Sequence, residues 1–172
     1  MKIKALILST IMALNLSAVT VGEVPSEVII ENDNGGMALD GSAWSSSTIQ
    51  DKVYVMFYVD PDEKDTNSHF TKALKEQKYD RNKYASIAVV NLAATWKPNF
   101  VIESILKGKQ EEFPDTIYVK DKNSVLVNEW KVDDDASNIL IFSKDGKLLF
   151  YKSGKMSDED ISKAFNIIED NL

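Results

Sequence analysis

Two short acidic runs carry most of the chemistry that this sequence offers. Asp60-Pro61-Asp62-Glu63-Lys64-Asp65 places Asp60, Asp62, Glu63 and Asp65 within one turn-sized stretch, and Asp133-Asp134-Asp135 sets three carboxylates in succession. Hard oxygen donors at this density suit Ca2+, which accepts about six to eight oxygens in irregular geometry. Asp62, Asp65 and Asp134 are the ligands such an ion would draw on. The pattern lacks the glycine and the distal glutamate of an EF-hand loop, and Lys64 stands at a would-be ligand position. The plain alternative is a solvated acidic face. Paired carboxylates also perform acid–base work on sugars, which would make the chain an enzyme of non-thiol type. His69, the single histidine, is the one imidazole available as a general base. Neither Gly-x-Ser-x-Gly nor a supported Ser-x-x-Lys accompanies it, so no residue is assigned as catalytic. Trp96, in the loop Ala93-Ala94-Thr95-Trp96-Lys97, would anchor a partner if exposed. Packing of its large apolar area is the outcome expected by default.

Composition removes whole classes of function. The chain has 172 residues and no cysteine, which excludes thiol nucleophiles, disulfide exchange and cysteine-ligated metals. A single histidine excludes multi-histidine metal sites. The net charge of −7 and pI of about 4.8 argue against nucleic acid as a partner.

The chain opens with the basic Met1-Lys2-Ile3-Lys4, a largely apolar stretch from Ala5 to Leu16, and the small residues Ser17 and Ala18. That layout marks residues 1–18 as a secretory signal peptide, with residues 19–172 as one domain. A spanning helix needs about 20 apolar residues, and Pro25 and polar residues arrive too soon for one. The mature chain is therefore expected to be periplasmic or secreted, without a membrane span, and to meet an envelope protein or a small ligand.

The elements that must position the acidic runs follow from periodicity. Val28 to Ile30 and Met37 to Leu39, around Asn34-Gly35, predict an edge hairpin. Val53 to Val59 predicts a strand buried on both faces. Thr66 to Gln77 predicts an amphipathic helix with Asp65 or Thr66 as N-cap. Ser86 to Leu92 is a second buried strand, followed by a helix opened by Pro98 and ended by Gly108. Phe113 to Val119, Asn138 to Phe142 and Leu148 to Tyr151 are further strands, the last two joined through Lys144-Asp145-Gly146-Lys147. Ser157 caps a final helix whose stripe is Ile161, Ala164, Phe165 and Ile168. Trp130, after the apolar Val125 to Val127, is expected in the core. The order describes a three-layer α/β domain with a mixed sheet.

A βαβ unit, an inserted segment, a hairpin with a Lys-Asp-Gly-Lys turn and a terminal helix resemble the thioredoxin-like fold. The segment ILIFSKDGKLLFYKSGKMSDEDI, starting at Ile139, is similar to the end of peroxiredoxin-like members. More narrowly, SAWSSSTIQDKVYVMFYV from Ser42, KDTN from Lys64 and FPDTIYVKDKNSVLVNEWKVDDDASNILIFSKDGK from Phe113 resemble the YtfJ family of exported thioredoxin-like proteins. The resemblance spans about Ile29 to Leu172 and implies a thioredoxin-like α/β/α domain. In redox-active members the strand matching Val53 to Val59 leads into Cys-x-x-Cys, and a cis-proline precedes the strand matching Asn138 to Phe142. Here the two stretches read Asp60 to Asp65 and Asp135-Ala136-Ser137, so the resemblance carries no redox chemistry with it. Both loops would lie at the carboxyl ends of the parallel strands, where ligands of such sheets bind. Together with Trp96 they form the expected contact surface of a binding domain. An enzyme using the same carboxylates, directly or through Ca2+, and a structural or chaperone-like envelope protein are the alternatives.

Overall fold

The computed structural model describes residues 18–172, so the leader expected over residues 1–18 lies outside the described residues except for Ala18. The chain runs through β1 (Ile29–Ile30), β2 (Gly35–Met37), β3 (Trp44–Ser45), β4 (Val53–Val59), α1 (Ser68–Gln77), β5 (Tyr84–Asn91) and α2 (Asn99–Glu112). It continues through β6 (Thr116–Asp121), α3 (Val125–Trp130), β7 (Ser137–Phe142), β8 (Leu148–Ser153) and α4 (Asp158–Asn171). Strands β2-β6-β5-β4-β7-β8 form one sheet, parallel at its centre (β6, β5, β4) and antiparallel at both flanks.

Each central strand feeds two cores because successive side chains alternate faces. Tyr54, Met56 and Tyr58 of β4 and Leu140 and Phe142 of β7 pack with Ile30, Trp44, Leu126 and Trp130, beneath α3 and the N-terminal segment. Val53 and Val55, with Ile139 and Ile141, pack against Phe70 and Leu74 of α1 and Ala164 and Ile168 of α4. Helix α2 covers the same face farther along, through Ile102 and Leu106 on Leu92 and Tyr118. Three layers result.

The expected N-terminal hairpin does not form. β1 pairs with β3 in a separate two-stranded sheet, and β2 adds to the edge of the main sheet, antiparallel to β6. Gly35 explains the difference. It has a φ of 123°, and a Cβ there would lie 1.9 Å from the Lys120 carbonyl oxygen, so its freedom serves a close approach to β6 rather than a turn. Helix α1 starts at Ser68, later than Thr66, because Asp60 to Asn67 fold into successive turns: Glu63 N donates to Asp60 O and Thr66 N to Glu63 O. Helix α2 runs through Gly108 to Glu112. A glycine inside a helix costs about 1 kcal/mol relative to alanine, and Phe113, packed on the Leu106 and Tyr118 cluster, draws the chain onward. The turn from Phe113 to Thr116 then delays β6 to Thr116. The hairpin β7–β8 and the capped helix α4 form as expected.

Candidate functional site

The carboxyl ends of β4, β5 and β6 carry polar residues that the core would otherwise exclude. Asn91 and Asp121 are aligned at the last rung of β5 and β6, and Tyr58 is aligned with Asn138 across β4 and β7. Asn91, Asp121 and Asn138 are all buried, and each is satisfied, as buried polar groups must be. Asp121 accepts from Val125 N at 2.8 Å, Leu126 N at 3.1 Å and the Tyr58 hydroxyl at 3.2 Å, so it fastens the start of α3 to the sheet. Burial, reinforced by the Asp121 charge, pushes the Tyr58 phenol well above its ordinary range and keeps it a donor. Asn91 donates to Asp134 Oδ1 at 2.8 Å and accepts from Ser124 Oγ and Ala93 N at 3.1 Å. Asn138 donates to the Asp133 carbonyl at 2.8 Å and accepts from the Tyr151 hydroxyl at 3.0 Å. The acidic run Asp133 to Asp135 is thus held by neutral amides beneath it.

Asn67, the last residue of KDTN and the N-cap position of α1, is 3% exposed. Its amide donates to Ser137 Oγ at 3.0 Å and to the Gly154 carbonyl at 2.9 Å, and its oxygen accepts from Met156 N at 2.9 Å. One side chain joins the start of α1, the start of β7 and the turn before α4. Sequence reasoning missed Asn67, Asn91, Asp121, Asn138 and Tyr58. For Asn91, Asp121 and Asn138 the available signal was a polar residue at the end of an apolar run, where a purely structural strand would have stayed apolar; Asn67 lies in a polar stretch that gives no such signal.

The two acidic loops meet. Asp60 N donates to the Ala136 carbonyl at 3.0 Å, and Asp60, 6% exposed, accepts from Asp62 N at 2.8 Å. Burial raises the Asp60 carboxyl above its usual range, and the charges of Asp135 and Glu63 add to that, while Lys97 works against it. Asp62 is ion-paired with Lys97 and accepts from Thr95 Oγ1 at 2.9 Å. Asp65 is paired with Lys64 on the surface, Glu63 accepts from Thr66 Oγ1 at 2.5 Å, and Asp133 and Asp135 face solvent. Asp62, Asp65 and Asp134 therefore turn to three different partners, and no group of three acidic or histidine side chains among the described residues is arranged to hold a metal. His69 Nε2 donates to the Met156 carbonyl at 3.1 Å.

Trp96 is the largest departure from expectation. It is 86% exposed rather than packed, because the Asp62–Lys97 pair and the Thr95 bond fix the loop with the indole outward. Phe100, in the first turn of α2, is 73% exposed, and Ile105 is 49% exposed. The surface at this end of the sheet is thus apolar anchors beside carboxylates. A cavity of about 160 Å3 lies at the opposite end, where Ile49, Trp130, Phe142 and Gly146 contribute to its wall. The raised carboxyl of Asp60 is not part of it.

Among the described residues no peptide bond is cis, so Asp135-Ala136-Ser137 lacks the proline geometry of a thiol site as well as the sulfur. Solved structures nonetheless show the same architecture. A putative protein disulfide isomerase from Bacteroides thetaiotaomicron superposes with a TM-score of 0.62 at 15% identity, covering 90% of this chain and 91% of that one. In sequence, an uncharacterized protein of Haemophilus influenzae is 30% identical over 129 residues, 73% of this chain and 70% of the relative. The uncharacterized protein YtfJ of Escherichia coli K12 is 23% identical over 145 residues, 80% of this chain and 79% of the relative. The model of the family described as "Bacterial protein of unknown function (YtfJ_HI0045)" matches residues 13–171. A cysteine-free domain of thioredoxin-like fold, this chain belongs to the YtfJ family.

Proposed function

We propose that the chain is an exported, redox-inactive binding domain of the bacterial envelope, and that its contact surface is the end of the sheet formed by the Trp96 loop, the first turn of α2 and the two acidic loops. The observation that carries this reading is the exposure of Trp96 and Phe100 on either side of Lys97, which is ion-paired with Asp62. Aromatic side chains offer about 150–250 Å2 each, and apolar surface of a few hundred Å2 rimmed by polar groups is characteristic of interaction sites. The flanking carboxylates favour a partner segment that is basic and carries an apolar side chain.

Photo-crosslinking in the cell tests it, with benzoylphenylalanine replacing Phe100 in one chain and Lys144, at the far end of the sheet, in another. A discrete adduct at position 100 that disappears with Trp96→Ala is the expected result. Equal adducts at both positions, or none at position 100, would overturn it. The Ca2+ reading is separable by thermal melting. Because Asp62, Asp65 and Asp134 are engaged elsewhere, added Ca2+ is expected to leave the melt unchanged. A Ca2+-specific rise lost in Asp134→Asn would replace the binding reading by a cation-dependent one.

A further inference from the structure

The cavity remote from the acidic loops is walled by the buried side chains of Ile49, Trp130 and Phe142, and the exposed carboxylates of Glu27 and Asp145 stand at its rim. Its volume of about 160 Å3 is close to that of an apolar cavity able to hold benzene, about 150 Å3. The wall is set in advance. The Trp130 indole donates to the Ser26 carbonyl at 2.9 Å, and its ring lies 5.9 Å from that of Phe142. Val19 N donates to the Trp130 carbonyl at 3.0 Å, Gly22 N to the Leu148 carbonyl at 2.7 Å, and Leu148 N returns to the Glu23 carbonyl at 2.9 Å. The N-terminal segment is thereby tied down on both sides of Val24, which also lines the cavity. A ligand entering a wall so held has few side chains to order.

The rim is electrostatically one-sided. Among the described residues that line the cavity none is basic. Glu27 accepts from Ser45 Oγ at 2.8 Å, and the hydroxyls of Ser45 and Ser47 hold its carboxyl below the usual range. Lys147, 2.7 Å away, and then the Ser143 hydroxyl hold Asp145 at about 2. Both groups are therefore charged at neutral pH. Lys144 turns to the Leu172 main-chain oxygen at 2.7 Å, so Lys147 balances one of the two carboxylates and leaves the other.

We propose that this cavity binds a small arylalkylamine carrying one positive charge, with its ring against Trp130 and Phe142 and its ammonium at the rim beside Glu27. The ring meets two aromatic side chains already in place, and the ammonium supplies the missing counter-charge. A neutral or acidic ligand of the same shape lacks that pairing. The site shares no residue with the surface around Trp96 and does not rest on it.

Phenethylamine titrated into the isotope-labelled full chain tests this, with the indole N–H resonances of Trp44, Trp96 and Trp130 read separately. Phenylethanol and phenylacetate serve as the neutral and anionic counterparts. The expected result is a saturable movement of the Trp130 resonance in the millimolar range. Binding is expected to be about fivefold weaker for the alcohol, and about fivefold weaker for the amine on Glu27→Gln, as for the loss of one exposed ion pair. Phenylacetate is expected to leave the resonance in place. Equal affinity for amine and alcohol, movement confined to the Trp96 resonance, or no saturation in the millimolar range overturns the proposal. Crosslinking at position 100 is read independently, so the two ideas fail separately.

Discussion

Asn67 concentrates three hydrogen bonds in one buried side chain, and its replacement has a calculable direction. Asn67→Ala leaves Ser137 Oγ, the Gly154 carbonyl and Met156 N without their partner. A lost hydrogen bond costs about 1 kcal/mol and a stranded buried group about 1–3 kcal/mol, so a loss of about 2–4 kcal/mol is expected. Urea denaturation measures it, and an unchanged midpoint would show that water enters and replaces the amide. The sequence exposed the acidic runs as acids but not what they touch. Asp62 finds Lys97, Asn91 finds Asp134, and Asn67 finds Gly154 across long stretches of chain, which local spacing does not encode. Trp96 departs from the expected packing for a related reason. Aromatic area favours burial in general, and only the bonds that Thr95 and Lys97 make to Asp62 turn this indole outward.

Elements whose signals are local were legible. The apolar run of β4, the Asp-Gly turn between β7 and β8 and the serine cap of α4 each depend on neighbours in sequence. The Asn34-Gly35 pair at the start of β2 points to a turn because the same positive φ serves a turn or a close strand approach, and the choice is made by Lys120, on a distant strand. The cap of α4 also sets a pH dependence. Asp160 is held at about 2, below the ordinary 3.8, chiefly by the Ser157 backbone N–H, then by Lys152 and the Ser157 hydroxyl. A depressed carboxyl contributes stability that is present above the unfolded value and lost as pH falls through the folded one. Asp160→Asn keeps an acceptor for the cap but does not titrate. The wild-type chain is therefore expected to be the more stable of the two above pH 3.8, with the gap closing toward pH 2. Parallel urea titrations across that window check it. A gap independent of pH would mean that the carboxylate charge contributes nothing to the cap.

At the scale of the molecule, the two core faces share one sheet, and that sharing predicts how the protein comes apart. Tyr54, Met56 and Tyr58 of β4 face Trp44 and Trp130, while Val53 and Val55 of the same strand face α1 and α4. β7 divides in the same way, with Leu140 and Phe142 on one side and Ile139 and Ile141 on the other. Removing either layer would open to water a strand whose opposite face is still packed, so neither layer has a stable partner in the absence of the other. The tryptophans report on this without engineering. Trp44 and Trp130 are buried on one face and Trp96 is already in solvent, so the change in emission on unfolding reads the first face. Far-UV circular dichroism is dominated by α1, α2 and α4 on the second. Coincident denaturation curves from the two probes are expected, as for a single cooperative unit. An emission change that precedes the loss of helix would mean that the layer containing α3 and the N-terminal segment separates first. The Val19, Ser26 and Leu148 bonds would then act as a fastening of that layer rather than as part of one core.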